Sequence, residues 1–340
     1  MLKNHSNCHC ERSAAISHSE IASPSLAMTA LAVCIFFFIP LLTHAFTISP
    51  GLIDASVNPG GIYRGSITLT NDEGSVQTYY LAIQKFIPKG DNGQQEFLPL
   101  SDTRGLPSWT FFEQPSVALK AGEERAIPFS VRVPNEALPG GYYAAVFFST
   151  RPPLETAQGA VITGSRTGIL LLLTVNGGLV EKLRVIDVAR EMPQTVSHLP
   201  AVFRLMLENE GNVHVIPQGE IRIKNMFGMR AATLPINPAS GRVLPGSSRR
   251  LIISWQKEEP HSVSGFWQEA REEWRNFGFG SYTATFHFFG PQMTSSEPIS
   301  LSFSVWPWRL GLIFLGGLVI MMILLRLYGR AAVHRATLKK

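Results

Sequence analysis

The sequence predicts an all-β protein with two tandem immunoglobulin-like β-sandwich domains and one C-terminal transmembrane helix. Three observations predict it. Apolar residues alternate with polar ones, the alternating segments recur in the same order in two halves of the chain, and an uncharged segment precedes a basic C-terminus. With 45% hydrophobic and 16% charged residues, the composition excludes a disordered or coiled-coil chain, which needs more charge and fewer aromatic residues.

The N-terminal region has the features of an export signal. Residues 31–42 are uncharged and apolar, and a small residue, Ala45, follows shortly after them. This run is too short to cross a membrane comfortably, so it predicts a signal peptide over residues 1–45 with cleavage after Ala45. Translation could start at Met1 or at Met28, and the sequence leaves this open.

Residues 46–305 alternate with the period of half-buried strands. Phe203, Leu205 and Leu207 are separated by polar or flexible residues, and Tyr282 and Phe286 belong to a second such run. A strand exposes alternate residues to opposite sheet faces, so this pattern predicts sheets with one face on a core. Glycine, proline and asparagine clusters break the runs at short intervals, as in a sandwich.

The strand and turn signals occur twice, in the same order. The matching positions are Asn71 and Asn209 in turns, Gly122 and Gly246 before strands, and Gly141-x-Tyr143 and Gly280-x-Tyr282 at strand starts. The repeat predicts one domain over residues 46–180 and a second over residues 181–305. Tyr143 and Tyr282 are predicted as structural tyrosines whose hydroxyl groups bond to upstream backbone, as in a tyrosine corner.

One segment breaks the β pattern. Residues 265–276 have helical composition, with Phe266, Trp267, Ala270 and Trp274 spaced to share a face. The favoured interpretation is a short helix that closes one end of the second sandwich with these side chains in the core. The alternative is an aromatic surface for a partner.

The C-terminal region predicts a membrane anchor. Residues 306–328 are long enough to cross a bilayer, and aromatic residues stand at both ends of this segment. Residues 329–340 form a basic tail. The positive-inside rule therefore predicts a single-pass cell-membrane protein with a cytoplasmic C-terminus and extracytoplasmic N-terminal domains.

Composition and motifs argue against catalysis and nucleic-acid binding. Residues 46–305 carry 22 basic and 23 acidic side chains, so no basic domain is available for phosphate contacts. All three cysteines precede residue 46, and the histidines His198, His214, His261 and His287 lack ligand-pair spacing. We expect no catalytic residues, cofactor or metal, with His214 and His287 on the surface. A carbohydrate-active enzyme would need paired carboxylates in a cleft.

The first domain is rich in aromatic residues that could form a binding surface. The candidate positions are Tyr79, Trp109, Tyr142 and Phe147. Residues 142–148 are apolar at adjacent positions, so this strand is apolar on both faces, which suits a sugar- or protein-binding surface. The equal alternative is that the connection over residues 89–109 covers the strand.

The chain resembles the WxL-interacting protein family of bacterial surface proteins. The matching stretches are residues 48–51, 58–60, 133–134, 139–145, 168–170, 209–214 and 306–308. The resemblance implies a first immunoglobulin-like domain associated with peptidoglycan binding, a second associated with partner binding, and one membrane span. The second domain departs most from the family, notably in its tryptophan-rich insertion.

These features predict a non-catalytic cell-envelope protein that binds peptidoglycan, another envelope polymer or a surface protein through its tandem sandwiches. The alternative is an accessory or chaperone-like subunit in the assembly of surface structures, because two-domain immunoglobulin-like chaperones donate strands to their clients. An unpaired edge strand in the first domain would favour that alternative.

Overall fold

A computed structural model gives the structure of residues 46–152, 166–259, 261, 264–290 and 298–337. The predicted signal peptide and its cleavage site lie outside these described residues. The architecture is all-β, with two tandem immunoglobulin-like sandwiches and one long C-terminal apolar helix, so the predicted fold class is confirmed.

Strands β1 to β10 and the short helix α1 build the first sandwich. Their bounds are β1 (Phe46–Ser49), β2 (Leu52–Val57), β3 (Ile62–Asn71), β4 (Gln77–Lys89), β5 (Gln94–Phe97), α1 (Leu106–Trp109), β6 (Thr110–Phe112), β7 (Ser116–Leu119), β8 (Glu124–Arg132), β9 (Gly140–Ser149) and β10 (Arg166–Val175). One sheet has the order β1-β3-β8-β6, and the other has the order β2-β10-β9-β4-β5 with β7 also on β4.

The core of the first sandwich lies between these two sheets. Alternate residues point inward, including Ile127, Phe129 and Val131 on β8 and Ile169 and Leu171 on β10. At about 25 cal/mol per Å² of buried apolar surface, such side chains supply the main stabilising term of the domain. Strand β10 joins β9 in antiparallel and β2 in parallel pairing.

The second sandwich is built from β11 to β18 and helix α2. Their bounds are β11 (Leu183–Arg190), β12 (Thr195–Val196), β13 (Ala201–Asn209), β14 (Gln218–Asn225), β15 (Arg230–Pro235), β16 (Ser248–Trp255), α2 (Phe266–Arg275), β17 (Gly280–Phe289) and β18 (Ile299–Val305). The sheet β11-β13-β16 faces the sheet β12-β18-β17-β14-β15. Phe203, Phe286 and Phe303 meet at the centre of the core.

Asn71 and Asn209 hold equivalent turns in the two sandwiches, and both are fully buried. The Nδ2 group of Asn71 donates to Leu119 O at 3.1 Å, and that of Asn209 donates to Val243 O at 2.8 Å. Each Oδ1 accepts from the backbone N–H two residues later. These bonds join each asparagine turn to the segment before β8 or β16, so the matched sequence signals contact each other in both domains.

The corner tyrosines are Tyr142 and Tyr282. The Tyr282 hydroxyl accepts from Phe279 N at 3.1 Å, which confirms its predicted role. The prediction for Tyr143 is wrong, because Tyr142 faces the core and donates its hydroxyl to Leu138 O at 2.9 Å. Gly140 and Gly280, with φ of 144° and 93°, precede these tyrosines by two residues, so the repeat aligns Gly140 with Gly280.

Helix α2 forms where it was predicted but buries a different face. Trp267 and Trp274 are each 73% exposed, whereas Glu272 and Glu273 are buried. The favoured prediction, with the tryptophans in the core, is therefore wrong. The cause is helix α3 (Trp308–Thr337), whose Arg309 binds Glu273 at 3.0 Å and also pairs with Glu269.

Helix α3 is long and apolar enough to cross a membrane. The segment Trp308–Arg330 contains an 18-residue window with a mean hydropathy of 2.5, and no residue of that window is buried within the described part of the chain. The helix continues past the predicted end at Tyr328. It starts directly after β18, so the second sandwich is the domain adjacent to the apolar helix.

Candidate functional site

The four predicted binding aromatics do not form one exposed surface. Tyr79 is fully buried, with its hydroxyl donating to Asn71 Oδ1 at 2.8 Å, and burial raises its pKa above the usual range. Trp109 and Tyr142 are half-buried and pack together at 4.5 Å between ring centroids, beside the core. Phe147 is buried on the opposite face of the sheet.

That opposite face carries a second apolar cluster outside the sandwich core. Phe86, Ala145, Phe147 and Leu172 are its buried members. Phe97 on β5 covers Phe147 at 5.0 Å between ring centroids, and the Arg166 guanidinium lies 4.4 Å from the same ring. Strand β9 is therefore apolar on both faces, and β5, within the 89–109 connection, covers part of its outer face.

The first part of β10 has an unpaired edge. Residues 166–169 pair with β9 on one side, whereas pairing with β2 on the other side begins only at Leu170. The Leu170 N–H donates to Gly51 O at 3.1 Å. Before Gly51 the chain crosses to the other sheet, where Ser49 pairs with Thr68. Among the described residues, no strand pairs with residues 166–169 on this outer side.

This edge presents hydrogen-bonding groups in a fixed pattern. Backbone groups on a strand point alternately to its two sides, so the outward direction of Leu170 N places the Gly168 and Arg166 N–H groups outward as well. Residues 166–168 are exposed, whereas Ile169 is buried in the core. The Arg166 side chain crosses the face of β9 away from this edge, and its Nη1 donates to Gln84 Oε1 on β4 at 2.9 Å.

One group of polar contacts between the first sandwich and the second is centred on Asp54 of β2. Its Oδ2 atom accepts from Arg242 Nε at 2.8 Å and lies 3.1 Å from His214 Nε2. The His214 side chain is only 7% exposed, so its predicted surface position is wrong. Its Nδ1 atom lies 3.4 Å from the Tyr143 hydroxyl, and burial raises the pKa of Tyr143.

A cavity of about 290 Å³ lies between the sandwiches, beside β2 and β10. Leu52, Leu170, Leu172 and Leu244 give it an apolar wall. Arg249 also lines it, and burial lowers the pKa of this guanidinium. Leu170, the residue that follows the unpaired edge, lines this cavity, which could accept an apolar side chain near a cation.

The described residues contain no group of three or more histidine, cysteine, aspartate or glutamate side chains placed to hold a metal ion. The acidic doublet at Glu272 and Glu273 is buried and paired with Arg275 and Arg309. Glu273 thus joins α2 to α3, whereas Glu272 pairs within α2.

No protein family and no curated protein matches this sequence. Among solved structures, the class 5 fimbriae chaperone CfaA has 12% identity and a TM-score of 0.36, covering 76% of this chain and 99% of its own. A second similar structure is the CsuC–CsuE chaperone and tip adhesion subunit complex of Csu pili from Acinetobacter baumannii. It has 15% identity and a TM-score of 0.33, and the match covers 75% of this chain and 97% of that chain. The E. coli chaperone DraB has 11% identity and a TM-score of 0.33, and the match covers 76% of this chain and 96% of DraB.

Proposed function

We propose that this chain is a non-catalytic envelope protein, anchored by α3, that binds a surface protein through the edge of its first sandwich. Its role is accessory or chaperone-like, in the assembly of surface structures. The observation that carries this proposal is the unpaired edge of residues 166–169, which lies beside an apolar cavity.

An unpaired strand edge favours the addition of another strand. Its N–H and C=O groups require partners, and a client strand supplies them while water is released from both surfaces. A client strand here would lie in line with β2, on the N-terminal side of Gly51, and would pair with residues 166–169. A side chain of that strand could enter the neighbouring cavity, where Leu52 and Leu170 offer apolar contact.

The apolar helix gives this binding a location. A span over Trp308–Arg330 would hold the second sandwich at the membrane and the first sandwich further from it. Clients would then be bound at the surface of the membrane rather than in free solution. Extracytoplasmic placement follows from the basic residues after the span.

Peptidoglycan binding and the WxL-interacting resemblance stay predictions from the sequence. The aromatic residues on which a sugar-binding surface depended are buried or half-buried, Tyr79 and Phe147 most completely. A flat, exposed aromatic surface is what a glycan would need for stacking. Strand addition instead uses backbone groups that are exposed at the β10 edge.

The test compares two substitutions at one residue. Arg166→Pro removes the outward N–H, whereas Arg166→Ala removes the same side chain and keeps the N–H. The full chain carries a photo-crosslinking residue at the exposed position of Thr167, and adducts are formed in intact envelopes and identified by mass spectrometry. We expect discrete surface-protein adducts with the wild-type chain and Arg166→Ala, and their loss with Arg166→Pro.

A parallel arm measures sedimentation of the full chain with purified peptidoglycan. Adducts that are equally abundant in both variants would show that the edge is not the binding element. Retention on peptidoglycan with no protein adduct would replace strand addition by wall binding as the function.

A further inference from the structure

One end of the second sandwich exposes many large apolar side chains outside the span. The set is Met226, Phe227, Met229, Phe266, Trp267, Trp274, Phe277, Phe279 and Trp306. It is mainly aromatic, with methionines as the other members. Isolated exposed apolar residues are ordinary, but a contiguous group marks an interaction surface.

Strand register places these side chains at one level. Asn225 pairs with Tyr282, Tyr282 pairs with Phe303, and Gly280 pairs with Val305. The turn at residues 226–229 therefore continues past this row toward the level of Phe279 and Trp306. The Met226 side chain occupies the space that a Cβ at Gly280 would need, which brings this turn against the start of β17. This level is where the chain enters α3.

Helix α2 is fixed to the same end. The Glu273 carboxylate, fully buried, accepts from Arg309 Nη1 and from Leu310 N, each at 3.0 Å. The Phe266 and Trp308 rings lie 6.3 Å apart. Trp267 and Trp274, seven residues apart, lie on one side of α2, because seven residues make nearly two turns. That side is distinct from the side that carries Glu273.

The charges at this end suit an anionic surface. The carboxylates of α2 are paired, Glu269 and Glu273 with Arg309 and Glu272 with Arg275. Arg271, beside the tryptophans, has no ion pair within the described part of the chain. This combination of exposed tryptophan and unpaired arginine is typical of elements that lie in the interface of a bilayer.

We propose that this end of the second sandwich is seated in the lipid headgroup layer. Trp267, Trp274 and Phe227 enter the boundary between headgroups and acyl chains, and Arg271 binds lipid phosphate. Lipid is the occupant because this surface is continuous with the first turn of the apolar helix, where the Phe266 ring lies against Trp308. The inference rests on the proposed membrane anchoring. In addition to the anchor, the second sandwich itself then contacts the bilayer at a fixed surface, and is not connected to the membrane only through a flexible linker.

Environment-sensitive fluorophores test this contact in the full chain. The three native cysteines are replaced by serine, and single labels are placed by Phe227→Cys, Trp274→Cys, Phe314→Cys in the span, or Phe111→Cys in the first sandwich. The protein is inserted in nanodiscs of phosphatidylcholine and phosphatidylglycerol that carry a doxyl quencher near the headgroup. All four positions are exposed, so the substitutions leave the cores intact.

We expect labels at 227 and 274 to lose most of their emission to the doxyl lipid and to shift to the blue. The label at 111 keeps its emission and is quenched by aqueous iodide. Quenching at 314 with none at 227 and 274 would overturn the headgroup contact and leave the anchor intact. Absence of quenching at 314 would overturn the anchor, and the headgroup contact with it.

Discussion

Single buried asparagines hold the turns of both sandwiches. Asn209 is fully buried, and its Nδ2 group donates to Val213 O and Val243 O, each at 2.8 Å. Asn209→Ala would leave these carbonyls without a donor in a place that water does not reach. We expect a loss of about 3 kcal/mol in the free energy of unfolding, measured by urea denaturation in detergent.

The matched control is Asn225→Ala in an exposed turn. The Asn225 Oδ1 atom also accepts from two backbone N–H groups, those of Phe227 and Met229. Water can replace it there, so we expect a cost below about 1 kcal/mol. Equal costs for the two variants would contradict the role assigned to burial at Asn209.

The Tyr143 phenol makes the free energy of unfolding depend on pH in the alkaline range. Burial raises its pKa in the folded protein above the unfolded value of about 10. Between these two values the folded state binds more protons than the unfolded state, so stability falls as pH rises above about 10. The free energy of unfolding of the Tyr143→Phe variant should fall less steeply over the same pH range, as measured by urea denaturation at a series of pH values. Parallel curves for the two proteins would contradict this assignment.

Adjacent aromatic pairs limit what can be predicted at the residue scale. The sequence pattern correctly predicts a strand at β9. It does not predict whether Tyr142 or Tyr143 faces the core, because both faces of this strand are equally apolar. The choice is made by Trp109, which packs on Tyr142, and by His214 from the second sandwich, which meets Tyr143. Both partners are distant in sequence, so local pattern alone does not contain the answer.

At the element scale, Glu273 joins α2 to the beginning of α3. It supplies a buried carboxylate to Arg309 and an acceptor for a backbone N–H that no helical carbonyl satisfies. Glu273→Gln removes the buried one of the two carboxylates that pair with Arg309 and leaves only the partly exposed Glu269 to balance this guanidinium. We expect a loss of about 3 kcal/mol in the free energy of unfolding, and faster proteolysis at the junction between β18 and α3.

The control for this junction is Glu259→Gln. Glu259 is exposed, and within the described part of the chain it accepts one hydrogen bond, from Gln256, so its loss should change stability by less than about 0.5 kcal/mol. An unchanged junction in Glu273→Gln would mean that apolar contacts alone hold α2 in place.

The predicted position of α2 was correct and its predicted inner face was not, for a physical reason. Helical spacing of tryptophans usually indicates the helix face that packs on the core, because aromatic side chains bury more apolar surface than any other side chains of the helix. Here Arg309, delivered by a helix that begins 33 residues after Arg275, pairs with the acidic side instead. A proposed lipid contact for the tryptophans accounts for the other side.

At the scale of the whole molecule, two ion-pair sites connect the sandwiches. Asp54 binds Arg242, and Asp91 binds Arg250 at 2.9 Å, and the partners' residue numbers differ by 188 and 159. Such separations explain why the sequence predicts the two domains and not the contact between them. The same holds for the β10 edge, which depends on where β2 ends its pairing with β10.

We expect these two sites to make the two sandwiches unfold together. Each pair is partly exposed, with side-chain exposures of 31% for Asp54 and 28% for Asp91, so each contributes about 1 kcal/mol. In Asp54→Asn/Asp91→Asn, the backbone bond from Gly141 N to Asn212 O at 2.8 Å remains and keeps the domains in contact. Calorimetry should then resolve two transitions where the wild-type chain shows one.

Asp187→Asn is the matched control, because Asp187 pairs with Arg204 inside the second sandwich at 3.1 Å. It removes a comparable surface charge without touching the contact between domains, so a single transition should persist. The double variant should also be cleaved sooner between Val175 and Leu183, where the domains are joined. One cooperative transition in all three proteins would show that apolar packing around Leu244, rather than the two aspartates, couples the sandwiches.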